Sequence, residues 1–247
     1  MTPAMAASLR VGTAGWSIPR AMAVTFVGEG THLQRYARLL PCAEINSSFH
    51  RPHATSTYAR WADATPPEFR FAVKLPRTIT HDQQLRQARA PLERFLEESG
   101  GLGAKRGPLL VQLPPSQPFD ARVAGRFFTL LRSLYEGSVV CEPRHPTWFS
   151  HPAVTLLTRH EVARVAADPP PVAGAETPGG WPGLVYYRLH GSPRTYWSRY
   201  GPDALARLSA ALQAVGPDVD AWCIFDNTAS GAALENAWEL RAFTAAQ

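Results

Sequence analysis

Short apolar segments rich in β-branched residues alternate along the chain with amphipathic helical patterns. Eight of these segments predict strands, at residues 9–13, 43–46, 69–74, 109–113, 139–142, 162–168, 184–190 and 221–226. Seven helices are predicted between or after them, at residues 33–40, 56–62, 85–98, 121–134, 154–159, 204–215 and 232–243. This alternation is typical of βαβ units and a parallel sheet.

The sixth crossover, residues 168–183, has no helical pattern. It reads DPPPVAGAETPGGWPG, and such a Pro/Gly-rich composition predicts a loop or lid. Eight strands in 247 residues suit a single α/β domain, a TIM-type (β/α)8 barrel over residues 1–247, with residues 1–8 as a flexible N-terminal tail. An open doubly wound sheet is the main alternative, but no G-x-G-x-x-G motif follows any predicted strand.

The composition is that of a globular protein, with 45% hydrophobic and 18% charged residues, which excludes a disordered or coiled-coil chain. No apolar run approaches the roughly 18 residues of a membrane span, and the N-terminal segment has no secretory pattern. We therefore expect a cytoplasmic protein without a membrane partner. Cys42, Cys141 and Cys223 each lie in an apolar run, which predicts buried, reduced thiols.

Polar and charged residues stand at the ends of most predicted strands. In a parallel barrel the ligand binds at the carboxyl ends of the strands, and charges in such buried strands are costly unless they are paired or functional. A ring of such residues around one mouth predicts a site. Its members are Glu44, Asn46, Lys74, Gln112, Glu142, Arg144, His145, Asp168, Arg188, His190, Asp226 and Asn227.

Each of these residues also has a purely structural interpretation. Glu142 and Arg188 are equally consistent with a buried ion pair that fixes strand register. Lys74 is one of only two lysines in a chain with 25 basic residues. A lysine retained there suggests proton transfer or an imine, since lysine changes its pKa on burial, although an ion pair explains it as well. His190 suits a general acid or base, a metal ligand or a core hydrogen-bonding residue.

The loops carry a second group of candidates. Residues 12–15 and 227–231, both rich in small residues, follow neighbouring strands of a closed barrel and should face each other. They predict either an anion site or, through Thr228 or Ser230, a helix cap. His81 is a further candidate, with helix capping by Thr80 or Asp82 as the alternative. The loop aromatics, including Trp16, Trp148 and Tyr196, either stack on a ligand or pack over the barrel.

A divalent metal is compatible with the oxygen and nitrogen ligands of this ring, but no H-E-x-x-H or H-x-H motif supports one, so the cofactor is left unknown. A glycosidase pair formed by Glu44 with Glu142 or Asp168 depends on their separation. The absence of a G-x-S-x-G elbow and of a P-loop excludes a serine hydrolase of that type and a P-loop NTPase.

Seven ordered segments resemble the YecE-like family, also known as domain of unknown function 72. They are VGTAGWS (11–17), AEINSSFHR (43–51), FRFAVKLPRTITH (69–81), GPLLVQLPPS (107–116), EPRHPTWF (142–149), YYRLHG (186–191) and FDNTASGAALENA (225–237). The resemblance covers nearly the whole chain and implies a TIM-barrel fold, but it implies no activity. Two positions depart from the family pattern: His50 replaces a tyrosine, and Asp226–Asn227–Thr228 replaces N-N-D, which moves or removes a carboxylate for which Asp226 is the candidate substitute.

These observations lead to one main hypothesis and two alternatives. The main hypothesis is an enzyme that binds a small anionic or phosphorylated substrate at the carboxyl end of the barrel, and it rests on the ring of residues at the strand ends. The net charge of +5 is compatible with an anionic ligand, but arginines scattered over the surface explain it as well. The first alternative is a metal-dependent nuclease or another nucleic-acid-processing barrel, suggested by Arg194 and Arg199 among aromatic residues. The second is a non-catalytic ligand-binding or scaffold protein. Catalytic candidates are Lys74, Glu142, Asp168, His190 and Glu44, and substrate-binding candidates are Asn46, His81, Gln112, Arg144, His145, Trp148, Arg188, Tyr196, Asp226, Asn227 and Trp16.

Overall fold

The structure is a computed structural model that describes residues 9–245. The predicted flexible tail, residues 1–8, lies outside the described residues. The strands are β1 (Leu9–Ala14), β2 (Cys42–Ile45), β3 (Arg70–Lys74), β4 (Arg106–Gln112), β5 (Val139–Glu142), β6 (Val162–Arg164), β7 (Ala166–Asp168), β8 (Gly179–Gly180), β9 (Leu184–Leu189) and β10 (Asp220–Phe225). The α-helices are α1 (His32–Ala37), α2 (Ser47–His50), α3 (Thr55–Asp63), α4 (Arg89–Ser99), α5 (Ala121–Leu134), α6 (His151–Arg159), α7 (Pro202–Gln213) and α8 (Ala232–Ala245).

The strands form one mixed sheet in the order β7-β9-β10-β1-β2-β3-β4-β5-β6-β8. The pairings are parallel except for β6 with β8, which is antiparallel. Only Val165 separates β6 from β7 along the chain, yet β6 pairs with β5 and β7 pairs with β9. The sheet is therefore nearly closed and barrel-like, and helices pack around its outside.

The sixth predicted strand, residues 162–168, is wrong as a single element. The segment is divided at Val165, because its first half pairs with β5 and its second half pairs with β9. The N–H of Val165 still donates to the Cys141 carbonyl (2.9 Å). The two-residue strand β8 was not predicted, since glycines carry no strand signal. The expected eight-stranded barrel is thus a nearly closed sheet of ten strands in the described residues. Residues 169–183 contain no α-helix, and the prediction of a loop there is confirmed.

The predicted start of the helix at residue 85 is also wrong, because α4 begins at Arg89. Gln84, Leu85 and Gln87 have φ angles of 48°, 67° and 50°, in the left-handed region that a helix excludes. Leu85 nevertheless packs in the core with 4% exposure. The amphipathic pattern therefore predicted correctly that Leu85 is buried, but it did not predict the backbone conformation of this residue.

Two apolar layers lie on opposite faces of the sheet. The outer layer packs the strands against the helices, and the inner layer fills the lumen of the barrel. Because side chains alternate between the faces of a strand, each strand contributes every second residue to the lumen. The lumen residues include Cys42, Ala72, Leu110, Val140, Tyr186, Trp222 and Ile224. The three cysteines are buried and unpaired, which confirms their predicted state. No helix in the described part of the chain has the length and apolar character needed to cross a bilayer.

Gly12 in β1 is required by the close approach of β1 to β2. A Cβ atom there would lie 2.1 Å from the Cys42 carbonyl oxygen and 2.8 Å from its Sγ atom. We expect Gly12→Ala to lower the free energy of unfolding by about 1–3 kcal/mol, because a backbone atom cannot move aside without breaking the strand pairing. Urea unfolding measures this loss. Gly216→Ala, where nothing lies within 4 Å of the added methyl group, is the control; equal losses in both variants would contradict the steric explanation.

Candidate functional site

The candidate site lies at the carboxyl end of the barrel, directly above the apolar lumen. Each polar residue there except His190 follows an apolar lumen residue by two positions, as in Ala72-Val73-Lys74 and Val140-Cys141-Glu142. His190 follows its lumen residue, Tyr186, by four positions. The alternation of the strand therefore points these side chains inward. The inward residues at the mouth are Glu44, Lys74, Gln112, Glu142, Arg188, His190 and Asp226.

Arg188 in β9 is the centre of this site and is fully buried. Its guanidinium donates from Nε and Nη2 to Glu44 Oε1 (3.2 and 2.7 Å), from Nη1 to Glu142 Oε2 (2.5 Å) and from Nη2 to Asp226 Oδ2 (2.9 Å). Tyr186 lies one inward position below and donates its hydroxyl to Glu44 Oε2 (2.8 Å). The buried ion pair of Glu142 with Arg188 is thus present, as one part of an arginine held by three carboxylates.

Glu142 joins Arg188 to the residues nearer the opening. Its Oε2 accepts from Gln112 Nε2 (3.0 Å), and its Oε1 accepts from Arg144 Nη2 (3.1 Å). His190 Nε2 lies 3.0 Å from the same Oε1 atom, and His190 Nδ1 lies 3.1 Å from Asp226 Oδ2. Each carboxylate of the cluster therefore has at least two polar partners, which compensates for its burial.

The charges of the cluster stabilise one another. Burial alone lowers the pKa of Arg188, but Glu142, Glu44 and Asp226 outweigh it and hold the pKa well above its usual value. Burial raises the pKa of Glu142, yet Arg188 and His190 reverse this effect and keep it well below its usual value. The pKa of Asp226 is lowered for the same reason. Glu142 and Asp226 are therefore stabilised in their ionised form beside the buried guanidinium.

His190 lies between two carboxylates. Burial lowers its pKa, but Glu142 and the hydrogen bond to Asp226 outweigh this, and the pKa is raised above its usual value. Its Nε2 atom also lies 3.4 Å from Arg144 Nη2. Because both ring nitrogens already contact side chains of the cluster, His190 is held in place rather than free to act as a general base.

Lys74, at the end of β3, differs from the other charged groups. Its Nζ atom lies 4.2 Å from the centre of the Phe49 ring, and the residue is 9% exposed. Among residues 9–245, no carboxylate oxygen comes within 4.0 Å of this nitrogen. Burial, reinforced by the charge of Arg188, lowers the pKa of Lys74 to about 8. A substantial fraction of this amine is therefore neutral near physiological pH.

His81 contacts the same aromatic ring. Its imidazole packs edge-on to Phe49 at 4.9 Å between centroids, and its Nδ1 atom is 2.9 Å from Thr80 Oγ1. Burial together with the charges of Lys74 and Arg77 lowers the pKa of His81 to about 4. His81 is thus a neutral imidazole beside Lys74, and Thr80 contacts its ring rather than capping a helix.

The carboxylates converge on a guanidinium. Within residues 9–245, no group of three or more His, Cys, Asp and Glu side chains is arranged to hold a metal ion. The geometric reason is that Glu44, Glu142 and Asp226 surround Arg188, which fills the space between them. The described residues therefore do not fit the metal that the sequence left open.

Asp168 is not part of the cluster. It lies an odd number of positions from Val165, a lumen residue, and so belongs to the outer face of the sheet. Its Oδ1 accepts from the Tyr200 hydroxyl (2.8 Å), and it lines a small outer cavity with Leu205 of α7. The sequence analysis grouped Asp168 with the inward residues because it ends a predicted strand, but its position in the alternation places it on the outer face.

Three other candidates lie away from the cluster. His145 accepts from the Thr147 N–H (3.3 Å) at the start of a 3-10 turn. Trp148 is 1% exposed and donates its indole N–H to the Gln117 carbonyl (3.1 Å). Trp16 packs edge-on against Trp61 at 5.2 Å. Both tryptophans therefore pack against other residues of the protein in this structure.

The remaining candidates line the approach to the cluster. Tyr196 is 42% exposed and packs edge-on to His190 at 5.6 Å. Its N–H donates to the His190 carbonyl, which fixes the loop above the site. Asn227 is fully buried and donates to the carbonyl of Ser198 (2.9 Å), so it supports that loop from below. Asn46 Oδ1 is buried and accepts no hydrogen bond from the described residues.

The loops 12–15 and 227–231 do face each other, as predicted. Both line a cavity of about 270 Å³ whose walls include Thr13, Ala14, Thr228 and Gly231. Ser230 accepts from the N–H of Ala232, the first residue of α8 (3.4 Å). The capping alternative is therefore realised at this helix, while anion binding stays a prediction.

The sequence analysis missed two residues. Tyr186 was read only as part of a strand, although its position two residues before Arg188 places it on the same inward face. Phe49 was one of many loop aromatics, and nothing in the sequence indicated its contact with Lys74. The period-two pattern could have found Tyr186, whereas the contact of Phe49 depends on how α2 packs over β3.

Fold and site together define an α/β barrel-like protein with a buried, arginine-centred charge cluster at the carboxyl ends of its strands. The chain belongs to the DUF72 family, described as a protein of unknown function, which it matches over residues 10–247. The family expected from the sequence segments is thereby confirmed.

Two curated relatives are the UPF0759 protein YecE of Escherichia coli K12 and of Escherichia coli O157:H7. The first is 31% identical over 171 residues, which cover 67% of this chain and 61% of the relative. The second is 30% identical over 141 residues, or 57% of this chain and 50% of the relative. The match thus spans between half and three fifths of their lengths.

Solved structures show the same fold. A DUF72 family protein of Enterococcus faecalis V583 superposes with a TM-score of 0.80 at 21% identity, covering 96% of each chain. A DUF72 family protein of Thermotoga maritima MSB8 gives a TM-score of 0.77 at 22% identity, covering 95% of this chain and 98% of the other. At these identities the similarity establishes architecture alone.

Proposed function

We propose that this protein is an enzyme that binds a small anionic substrate at the carboxyl end of its barrel. The observation that carries the proposal is the charge distribution of the mouth. Four cationic groups, Arg188, His190, Arg144 and Lys74, accompany three carboxylates, and Arg188 and His190 are already held by those carboxylates. The positive charge left over lies on Lys74 and Arg144, the groups nearest to the opening.

Geometry divides the site into a floor and an opening. Arg188 and the carboxylates around it form a rigid floor without exposed charge. Above it, Arg144 has a side chain that is 24% exposed and shares its only carboxylate, Glu142, with two other cations within residues 9–245. An anion above this floor would gain charge-assisted hydrogen bonds from Arg144 and Lys74 in a partly desolvated setting.

Roles follow from the state of each group. Glu142 and Glu44, acid-base candidates from the sequence, accept hydrogen bonds here and position Arg144 and Arg188, and His190 is held against Glu142 and Asp226. Proton transfer falls to Lys74 and His81, whose lowered pKa values leave both neutral in part or in full near pH 7. Asp168 lies outside the site so defined.

A cavity of about 560 Å³ adjoins Phe49, although none of the charged residues of the mouth lines it. Phe49, the ring that contacts Lys74, forms part of its wall, together with Arg51, Arg77 and Pro76. A volume of this size is typical of small-molecule pockets. Arg77 is paired with Asp82 (3.1 Å), so that Arg51 supplies additional positive charge at this cavity.

The same proposal includes a finer description of the fold and location. The sheet corresponds to a single-domain (β/α)8 barrel in which β6 and β7 are the two halves of one strand, and their separation by Val165 alone supports this. The three unpaired cysteines support a reducing, cytoplasmic location.

Nucleic-acid binding is the second candidate, because Arg194 lies 4.6 Å above the exposed Trp197 ring on the loop after β9. Such a pair suits stacking on a base. The affinity for a nucleic acid would fall steeply as the salt concentration rises, and more steeply than the affinity for a small anion. Filter binding of single-stranded RNA at a series of salt concentrations measures this dependence.

The proposed function is tested by isothermal titration of the protein with inorganic phosphate at low ionic strength. We expect Arg144→Gln and Lys74→Gln each to weaken binding roughly tenfold or more, because each removes a charged hydrogen-bond donor. Arg89→Gln is the matched control, since Arg89 is exposed and paired with Glu93 on α4. Equal affinity in all four proteins, or no binding by the wild type, would reject the anion site.

A further inference from the structure

The two lysines of this chain have opposite surroundings. Lys105 donates from Nζ to the carbonyl oxygens of Ala62 (2.6 Å) and Thr65 (2.5 Å) and to the Thr65 hydroxyl (3.2 Å). It therefore acts as a structural cation with its donors fully used. Within residues 9–245, Lys74 Nζ makes no side-chain hydrogen bond or ion pair, and it lies over the face of Phe49. Its nitrogen retains all of its hydrogen-bonding capacity and a lone pair in the deprotonated form.

We infer that Lys74 forms an imine with the carbonyl group of the substrate, so that the site takes small carbonyl compounds that also carry a carboxylate or phosphate. This inference rests on the proposed function, since Arg144 would hold the anionic group while the carbonyl carbon meets Lys74. A buried lysine without a carboxylate partner is the arrangement that makes an amine nucleophilic at neutral pH. Phe49 excludes water from one side of the amine and offers no base to which the ammonium could be tied.

The reaction is a balanced condensation. The neutral Nζ atom attacks the carbonyl carbon, an N–C bond forms, and the π electrons move to oxygen, which is protonated. Loss of one proton from nitrogen gives the carbinolamine, and departure of its hydroxyl group as water leaves the protonated C=N bond. No oxidant or reductant takes part.

His81 is positioned to move these protons. His81 Nδ1 lies 2.9 Å from Thr80 Oγ1, and in the tautomer with the proton on Nδ1 the lone pair lies on Nε2. His81 and Lys74 contact the same Phe49 ring. A neutral imidazole there can take the proton from nitrogen and return it to the leaving hydroxyl group.

Borohydride trapping tests the inference on the full chain. Glyoxylate is added as the anionic carbonyl probe, sodium borohydride reduces any imine, and peptide mapping by mass spectrometry locates the resulting N-carboxymethyl group. We expect Lys74 to be labelled at least tenfold more than Lys105, which serves as an internal control in the same molecule. Labelling of Lys74 should reach half its maximum near pH 8, because only the neutral amine attacks.

Two further measurements separate this inference from the proposed function. Inorganic phosphate should suppress labelling of Lys74 by glyoxylate, and acetone, a neutral carbonyl probe, should label it far less. If phosphate binds as proposed but Lys74 is labelled no more than Lys105, the imine is refuted and the anion site stands. If glyoxylate and acetone label Lys74 equally and phosphate neither binds nor competes, the imine chemistry stands and the anion site is refuted. These comparisons use the wild-type chain, so they do not depend on a variant that folds.

Discussion

Replacing Arg188 with methionine is expected to lower the free energy of unfolding by about 3–5 kcal/mol at pH 7. Methionine keeps much of the volume of the side chain, so the loss comes from electrostatics rather than from a cavity. Without the guanidinium, Glu44, Glu142 and Asp226 remain buried together without the cation that all three contact. Like charges in a low-dielectric interior repel strongly, and the carboxyl groups would take up protons to relieve this.

Urea unfolding followed by tryptophan fluorescence measures the loss. Arg188→Lys is the informative companion, because it keeps one positive charge but cannot donate to three carboxylates at once, and we expect a smaller but clear destabilisation. Arg89→Met removes an exposed arginine from an i,i+4 pair and should leave the midpoint unchanged. A stable Arg188→Met protein at pH 7 would show that the carboxylates are neutral in the folded wild type.

Glu142→Gln is expected to cost at least about 3 kcal/mol, because it removes the charge that Arg188, Arg144 and His190 share. The amide keeps the shape of the side chain, so the change is again electrostatic. We also expect the pKa of His190 to fall towards its usual value, since Glu142 is the largest of the charges that raise it. Titration of the histidine resonances by NMR measures that shift, and Glu93→Gln on the exposed face of α4 is the control.

The pH dependence of this loss has a definite sign. The pKa of Glu142 is lower in the folded state, so its contribution is present above about pH 4.5 and disappears as the pH falls through the folded value. The pKa of His190 is higher in the folded state, so its contribution is present below about pH 6.5 and is lost as the pH rises through the folded value. The stability difference between wild type and Glu142→Gln should therefore be largest between these limits. A difference that keeps growing as the pH falls below about 4.5 would contradict the assignment of Glu142 as an ionised group.

The sequence placed polar residues on the inward face where the strands are regular. Glu142 follows Val140 by two residues and Lys74 follows Ala72 by two, and this alternation continues the lumen of the barrel into its mouth. Asp168 was grouped with them because it ends its predicted strand, although the same alternation, counted from the lumen residue Val165, places it on the outer face. The interruption of this strand at Val165, after which the chain pairs with β9 instead of β5, depends on which neighbours the strand finds, and no local pattern encodes it.

The chemistry of the individual groups lies further from the sequence. His190 was a candidate for a general acid or base, a metal ligand and a core hydrogen-bonding residue, and only the structure shows that its two ring nitrogens lie against carboxylates. Lys74 stood out because lysine is rare in this chain, but its lack of a carboxylate partner depends on the carboxylates being held by Arg188. The metal that the sequence left open is not supported, since the space between the oxygen ligands is filled by a guanidinium from a strand far along the chain.

By itself, then, the sequence determined the alternation of strands and helices, the inward face of each regular strand and the family, because these follow from local periodicity and from ordered segments. The tertiary structure alone decided which charges meet. Glu44 and Arg188 are separated by 144 residues and touch only because the sheet nearly closes. The ionisation state of a buried group depends on the charges that surround it in space, and that arrangement exists only once the barrel has formed.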